Sequence, residues 1–399
     1  MSSLIHVLLG TKAELIKVAP VMGELDRRGI AYRLVETGQH GAHLPGLRMQ
    51  LGVREPDVRL GGLSDVDSIG QAVRWMIGLA GLLVRPRLLV EKVFGGVGGV
   101  CLVHGDTPST LMATLMARRA GLVVAHLESG LRSGSFRDPF PEELIRVLVM
   151  RRADVVFAPD DTAAANLTSM GVRGRVVRTS GNTGREALAG VVADVKPGSG
   201  PVVAALHRVE NLHRPGRLRA FLNLLSRLAA DGHKVLFVMH PPTKRVLAGH
   251  AGRAAVEASG VVTSDLLPFA EFASHLAAAP FVVTDGGSIQ EECTLLGVPC
   301  LLWRDRTERP DGVGANVVVG CYDDAVVDQF LADPEAHRRP ACLGDARPSV
   351  EVADVLARMI DPSGSPRQGG SGRPPAGHHG GQGSEGQVSQ YQHHPEGTD

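Results

Sequence analysis

Residues 104–146 read HGDTPSTLMATLMARRAGLVVAHLESGLRSGSFRDPFPEELIR. Two apolar runs, Gly99–Val103 and Gly121–Ala125, lead into its polar clusters. Those clusters hold Asp106, Glu128, Glu142, Glu143, His104 and His126, together with Arg132, Arg137 and Arg146. A strand ending in a cluster of acids is where an open α/β sheet does its chemistry. The spacing predicts a strand over 99–104, a helix over 108–119, a second strand over 122–126 and a helix from Glu142.

Working outward, the same alternation continues on both sides. Leu4–Leu9 is a short apolar run, followed by the turn Gly10-Thr11-Lys12 and a helical pattern over Ala13–Arg28, with a kink or break expected at Pro20. Ala31–Glu36 is a strand, Leu44–Leu51 a helix, and Ser64–Glu91 mostly helical with an interruption near Pro86. After the central stretch come strand Asp154–Ala158, helix Thr162–Met170 and strand Arg175–Thr179. Alternating β and α elements predict a parallel sheet with helices on both faces. Val191–Gly200 (VVADVKPGSG) interrupts the pattern as a polar linker. It restarts at Val202 with strands at 202–206, 234–239, 281–284 and 299–302, and ends in an amphipathic helix over Val350–Ile360. The expected fold is α/β, with two Rossmann-like domains, 1–188 and 200–360, facing each other across a cleft. Residues 361–399 are rich in Gly, Pro, Ser, His and Gln. Such a segment buries too little apolar surface to fold, so a disordered tail is expected.

The composition narrows the partners. Lys and Arg number 42 and so do Asp and Glu, so no nucleic-acid or membrane-surface partner is indicated. The N-terminus lacks a basic region before a long apolar core, and Ile77–Val103 is broken by Arg85, Arg87, Glu91 and Lys92. The five cysteines are scattered, without CxxC or metal spacing, which fits reduced thiols in a cytoplasmic protein. No metal or cofactor motif is present.

Four constellations carry the chemistry. Gly10-Thr11-Lys12, with Glu14 and Lys17, opens a helix and offers backbone N–H groups and cations to an anion. Asp106, Glu128 and Glu142 follow consecutive strands; carboxylates sharing a pocket push one another's pKa apart, which yields an acid and a base. His207-Arg208 ends the first strand of the second half, and His240 ends the next. Both suit binding of an anion or transfer of a proton. Thr284–Glu292 (TDGGSIQEE) runs from a strand through Gly286-Gly287-Ser288 into a helix, where small residues let a diphosphate approach the N–H groups. Glu292, one turn on, could accept from ribose hydroxyls.

Together these residues resemble the UDP-N-acetylglucosamine 2-epimerase family. The resemblance is carried by GTKAELIKVAP (10–20), TGQH (37–40), VHGDTPSTL (103–111), AHLESGLRSG (125–134), PFPEELIR (139–146), SGNT (180–183), HRVEN (207–211), DGGSIQEE (285–292) and RDRTERP (304–310). It implies the GT-B arrangement, a last helix folded back on the first domain, UDP in the interdomain cleft, no cofactor, and a homodimer. It also implies a reaction: elimination of UDP across C1–C2 to a 2-acetamidoglucal, then re-addition of UDP after C2 is reprotonated on its other face. A hydrolysing branch releases free N-acetylmannosamine instead, and a GT-B glycosyltransferase or UDP-sugar-binding protein is the further alternative. Asp106, Glu128, Glu142 and His207 match the family's catalytic positions. Lys17 and Arg146 match cleft positions, and Glu292 matches the ribose-holding residue. Lys12 stands where the family has arginine, and Gly286-Gly287-Ser288 stands where it has Ser-Gly-Gly.

Overall fold

The computed structural model describes residues 3–62, 65–66, 69–132, 134, 141–307 and 309–361. Arg137 and the tail beyond Asp361 therefore lie outside the described residues.

The central strands of each sheet are short apolar runs buried on both faces, as parallel sheets require, and the edge strands Val58–Arg59, Arg175–Arg178 and Val262–Ser264 are largely exposed. β1 (Ser3–Leu9), β2 (Tyr32–Glu36), β3 (Val58–Arg59), β4 (Gly98–His104), β5 (Val123–Leu127), β6 (Val155–Ala158) and β7 (Arg175–Arg178) form one parallel sheet in the order β3-β2-β1-β4-β5-β6-β7. β8 (Val202–Ala205), β9 (Val235–Val238), β10 (Val262–Ser264), β11 (Val282–Thr284), β12 (Cys300–Leu302) and β13 (Val317–Val319) form a second, in the order β10-β9-β8-β11-β12-β13. Each order reverses once, between β1 and β4 and between β8 and β11. Side chains just beyond the C-terminal ends of those strands line the crevice where an open sheet binds ligand. The residues after β1 and β4 are Gly10–Lys12 and Gly105–Thr107; those after β8 and β11 are Leu206–Arg208 and Asp285–Ser288. Both switch points thus carry the motifs singled out from sequence.

The first sheet is packed by Leu15, Val18, Met22 and Leu25 of the Lys12–Arg27 helix on one face and by Met112, Ala113, Met116 and Ala117 of the Pro108–Arg119 helix on the other. The last helix, Pro348–Ile360, joins the first of these cores through Val352, Ala353, Val355 and Leu356. Arg28 pins it by pairing with Asp354 at 2.5 Å. Thus the C-terminal helix crosses back to the first sheet. Among the described residues no helix is long and apolar enough to cross a membrane.

Some expectations need correction. The first helix runs unbroken from Lys12 to Arg27 with Pro20 inside it. Proline forfeits one backbone hydrogen bond, but residues buried before and after it, from Leu15 to Leu25, hold the helix against the sheet. A helix over Gly184–Val192 extends into the start of the expected linker. Three strands too short to show a period, β3, β10 and β13, escape sequence reading.

Candidate active site

The capping of the first helix decides what the turn after β1 can do. Thr11 is its N-cap, and Glu14 closes a capping box. The Glu14 carboxylate accepts from Gly10 N at 2.5 Å and Thr11 N at 3.2 Å, and from the hydroxyls of Thr107 and Thr110. Lys12 N points at His40 Nδ1, 3.4 Å away. The backbone N–H groups expected to be open to an anion are therefore occupied, and Glu14 instead staples the turn after β1 to the turn after β4. Only the Lys12 ammonium is left for a ligand, and burial lowers its pKa. Gly10 has a packing reason: a Cβ there would stand 1.9 Å from Thr37 Oγ1.

Lys17, one turn further along, points into the space between the sheets. Its ammonium lies 2.8 Å from Glu128 and 3.0 Å from Glu291. Arg309 closes the ring, 2.8 Å from Glu128 and 2.9 Å from Glu291. Lys17 and Glu128 belong to the first sheet's lobe, Glu291 and Arg309 to the second's, so four buried charges bridge the two. His104 Nε2 adds a contact to Glu128 at 2.9 Å. Burial alone would raise the Glu128 pKa, but Lys17 and Arg309 outweigh it and hold the carboxyl well below its usual range. Burial likewise works against the Lys17 ammonium, and Glu128 and Glu291 overcome it. Glu128 also has φ 56°, a left-handed conformation unusual for a side-chain-bearing residue and typical of strained functional turns.

Asp106 and Glu142 occupy a different environment. Arg146 pairs with Asp106 and with buried Glu143, which also takes Arg132 at 2.5 Å. Glu142 opens the Glu142–Met150 helix, and its buried Oε2 has no hydrogen-bond partner among the described residues. Burial, then the neighbouring Asp106 carboxylate, raises its pKa. Asp106, Glu142 and Arg146 all face a cleft of about 740 Å³.

The second sheet supplies the opposite wall. Buried Asp285 accepts from the backbone N–H of His207 at 3.0 Å and of Arg208 at 2.9 Å, and from Asn211 Nδ2 at 2.9 Å. This fixes the turn after β8. The His207 ring stacks on His240 with centroids 4.6 Å apart. Burial lowers the pKa of both imidazoles, that of His240 to about 3, so both are neutral at pH 7. Gly286 is the N-cap of the Gly287–Leu296 helix and gives no side-chain cap; a Cβ at Gly286 would meet His207 Cε1 at 2.8 Å. The absence of a side chain lets the imidazole sit over the turn. Gly286, Gly287 and Ser288 line the cleft together with His207 and His240. An uncapped helix N-terminus facing a cavity is a site for anionic oxygens.

A family model described as UDP-N-acetylglucosamine 2-epimerase matches residues 23–357. The chain belongs to the UDP-N-acetylglucosamine 2-epimerase family. It is 29% identical over 377 residues to the UDP-N-acetylglucosamine 2-epimerase of Bacillus subtilis, covering 88% of this chain and 94% of the relative. It is 30% identical over 370 residues to the UDP-2,3-diacetamido-2,3-dideoxy-D-glucuronate 2-epimerase of Pseudomonas aeruginosa, covering 89% and 99%. The crystal structure of the Methanocaldococcus jannaschii UDP-GlcNAc 2-epimerase in complex with UDP-GlcNAc and UDP superposes with a TM-score of 0.74 at 26% identity, covering 88% of this chain and 99% of that one. The fold is thus that of the GT-B UDP-GlcNAc 2-epimerases, two parallel α/β sheets with a cleft between them.

Within this epimerase-family cleft the structure gathers Asp106, Glu142, Arg146, His207, His240 and the Gly286–Ser288 turn. Glu128 and Lys17 line a smaller adjoining chamber of about 80 Å³, which shares Asp106, Arg146, Ser288 and Arg309 with the main cleft. Glu292 lines neither. Its carboxyl is pushed up to about 8 by burial and by Glu291. Glu291 and Arg309 were not singled out by sequence reasoning. Adjacent glutamates on a helix face different ways, and only the fold shows that Glu291 turns toward Lys17.

Proposed function

We propose that this protein is a non-hydrolysing epimerase acting at C2 of a UDP-2-acetamido sugar, with UDP-GlcNAc and UDP-ManNAc as the reference pair. One observation carries the proposal: Asp106 and Glu142 share a cavity with the uncapped helix N-terminus at Gly286–Ser288 and with His207. A carboxylate removing the C2 proton needs a partner to return one to the other face, and two acids in unlike surroundings supply that pair. Glu142, with its raised pKa, suits the protonated partner, and Asp106 beside Arg146 suits the ionised one. As the C1–O bond breaks, negative charge grows on the departing diphosphate. The helix N-terminus, the Lys12 ammonium and the neutral His207 and His240 N–H groups are the donors offered to it. Glu128, locked among Lys17, Arg309 and His104, is assigned an electrostatic role rather than proton transfer. The ribose assignment of Glu292 rests on the resemblance alone, because its side chain lines neither cavity.

The hydrolysing alternative draws support from the chamber of about 80 Å³ beside Asp106, which has room for water at roughly 30 Å³ per molecule. Proton NMR in deuterated water with UDP-GlcNAc separates the two. Deuterium at C2 of UDP-ManNAc supports epimerisation, and free N-acetylmannosamine with UDP supports hydrolysis. No change at C2 sinks both and leaves a glycosyltransferase or a UDP-sugar-binding protein. We further assign residues 1–188 and 200–360 to two Rossmann-like domains, and take the protein to be a cytoplasmic homodimer. Light scattering of the purified protein tests the dimer.

A further inference from the structure

Tyr322 lines the same cleft as His207 yet lies outside every motif that marks the site. It follows β13 in a turn where Cys321 and Tyr322 have φ 51° and 54° in succession. Two adjacent side-chain-bearing residues in the left-handed region are strained, and such strain persists only where the surroundings hold it. Here Cys321 N donates to Arg304 O at 2.9 Å. The Tyr322 ring meets Trp303 at near right angles, centroids 5.8 Å apart, and the Arg217 guanidinium lies 3.8 Å from its centroid.

The turn delivers the Tyr322 hydroxyl to a buried chain of hydrogen bonds. Arg217 Nη1 donates to the Tyr322 oxygen at 3.0 Å, Tyr322 donates to Asn211 Oδ1 at 2.8 Å, and Asn211 Nδ2 donates to Asp285 at 2.9 Å. Every direction is forced, because a guanidinium only donates and a carboxylate only accepts. The Asn211 atom facing Asp285 must be its amide nitrogen, its carbonyl must face Tyr322, and the phenol must donate. Burial raises the phenol pKa to about 12, so the proton stays in place. At the inner end Asp285 takes the backbone N–H of His207 at 3.0 Å and of Arg208 at 2.9 Å, and lies 3.4 Å from His207 Nδ1. Hydrogen bonds that all point one way polarise one another. Asn211 and Asp285 are fully buried, so the Asn211 carbonyl has no solvent to turn to if the phenol is removed. We propose that Tyr322 is a positioning residue for departure of the diphosphate: through Asn211 and Asp285 its hydroxyl fixes the His207 imidazole at the leaving group. The inference rests on the assignment of His207 to that diphosphate. Charge grows there only as the C1–O bond breaks, so a displaced imidazole costs the transition state more than the bound substrate.

The test uses the full-length protein and Tyr322→Phe, which keeps the ring against Trp303 and Arg217 and removes only the hydroxyl. C2 exchange of UDP-GlcNAc in deuterated water gives kcat and KM, and calorimetry gives Kd for UDP. NMR of the protein with isotope-labelled histidine follows the His207 imidazole, assigned by the signal lost in His207→Gln. Loss of one buried hydrogen bond predicts a kcat lower by ~3–10-fold. KM and the Kd for UDP are expected to stay within ~2-fold of wild type. The His207 signal is expected to move, while those of His6 and His126 on the first sheet stay. An unchanged kcat overturns the proposal. So does a Kd for UDP that weakens as much as kcat falls, because that makes Tyr322 a binding group. A His207 signal that does not move overturns it as well. If the wild type shows no C2 exchange, the epimerase reading fails, and the His207 signal still upholds or overturns the chain from Tyr322.

Discussion

Glu128 and Glu142 follow neighbouring parts of one sheet and end up in opposite physical states. Glu128 sits in a ring of charges drawn from both lobes, and Lys17 and Arg309 hold it ionised. Glu142 lies a short way off at the cleft wall, buried, without a partner for Oε2, and beside another carboxylate that favours its neutral form. The same side chain thus serves two purposes. One fastens the lobes; the other, under the proposed mechanism, carries the proton. Burial costs both; what separates them is that Lys17 and Arg309 pair directly with Glu128 at 2.8 Å, whereas the more weakly acting Arg208 and Arg146 do not offset burial and Asp106 at Glu142.

The largest effect should come from breaking the first of these states. Glu128→Gln leaves Lys17 and Arg309 without their shared anion. It is expected to lower activity ~10²–10⁴-fold and stability by about 3–5 kcal/mol, read by C2 exchange and denaturant unfolding. Glu142→Gln is expected to lower activity over the same range of ~10²–10⁴-fold while its unfolding midpoint stays or rises, because the amide needs no proton to be neutral. Equal destabilisation by both substitutions would refute the contrast. A smaller effect sharpens it: a double-mutant cycle of Glu128→Gln with Arg309→Gln should give a coupling of about 0.5–3 kcal/mol across the two lobes. Zero coupling would mean that the ring does not join them energetically.

A pH effect follows from Glu292. Its folded pKa of about 8 lies above the ordinary 4.5, so the folded state keeps a proton that the unfolded state has lost. Its contribution to stability is complete below about pH 4.5 and is lost as pH rises through about 8. Glu292→Gln should therefore be more stable than wild type at pH 8.5, with the difference shrinking at pH 5, as measured by thermal unfolding. The smallest change is expected from Lys12→Arg. A guanidinium fork in place of a point charge should tighten UDP binding ~2–5-fold by calorimetry.

Much of the cleft's lining was legible in the sequence because the polar motifs sit at strand ends. The apolar runs before Asp106, Glu128, His207 and Asp285 set the β/α alternation, and in a parallel α/β sheet that alternation brings such residues to one edge. Local capping was less legible. Gly10-Thr11-Lys12 reads as an anion turn, yet Glu14 three residues on from Thr11 forms a capping box, an S/T-x-x-E signal that the sequence did contain.

The sequence by itself determined which residue types stand at the ends of which strands, hence the two-sheet fold and the family. Only the tertiary structure decided how those residues pair. Lys17 and Glu291 are 274 positions apart and Glu128 and Arg309 are 181 apart, and no period or spacing links them. The ionised state of Glu128, and with it the contrast to Glu142, depends on distances of about 3 Å across a cleft that only the packing of the two lobes creates.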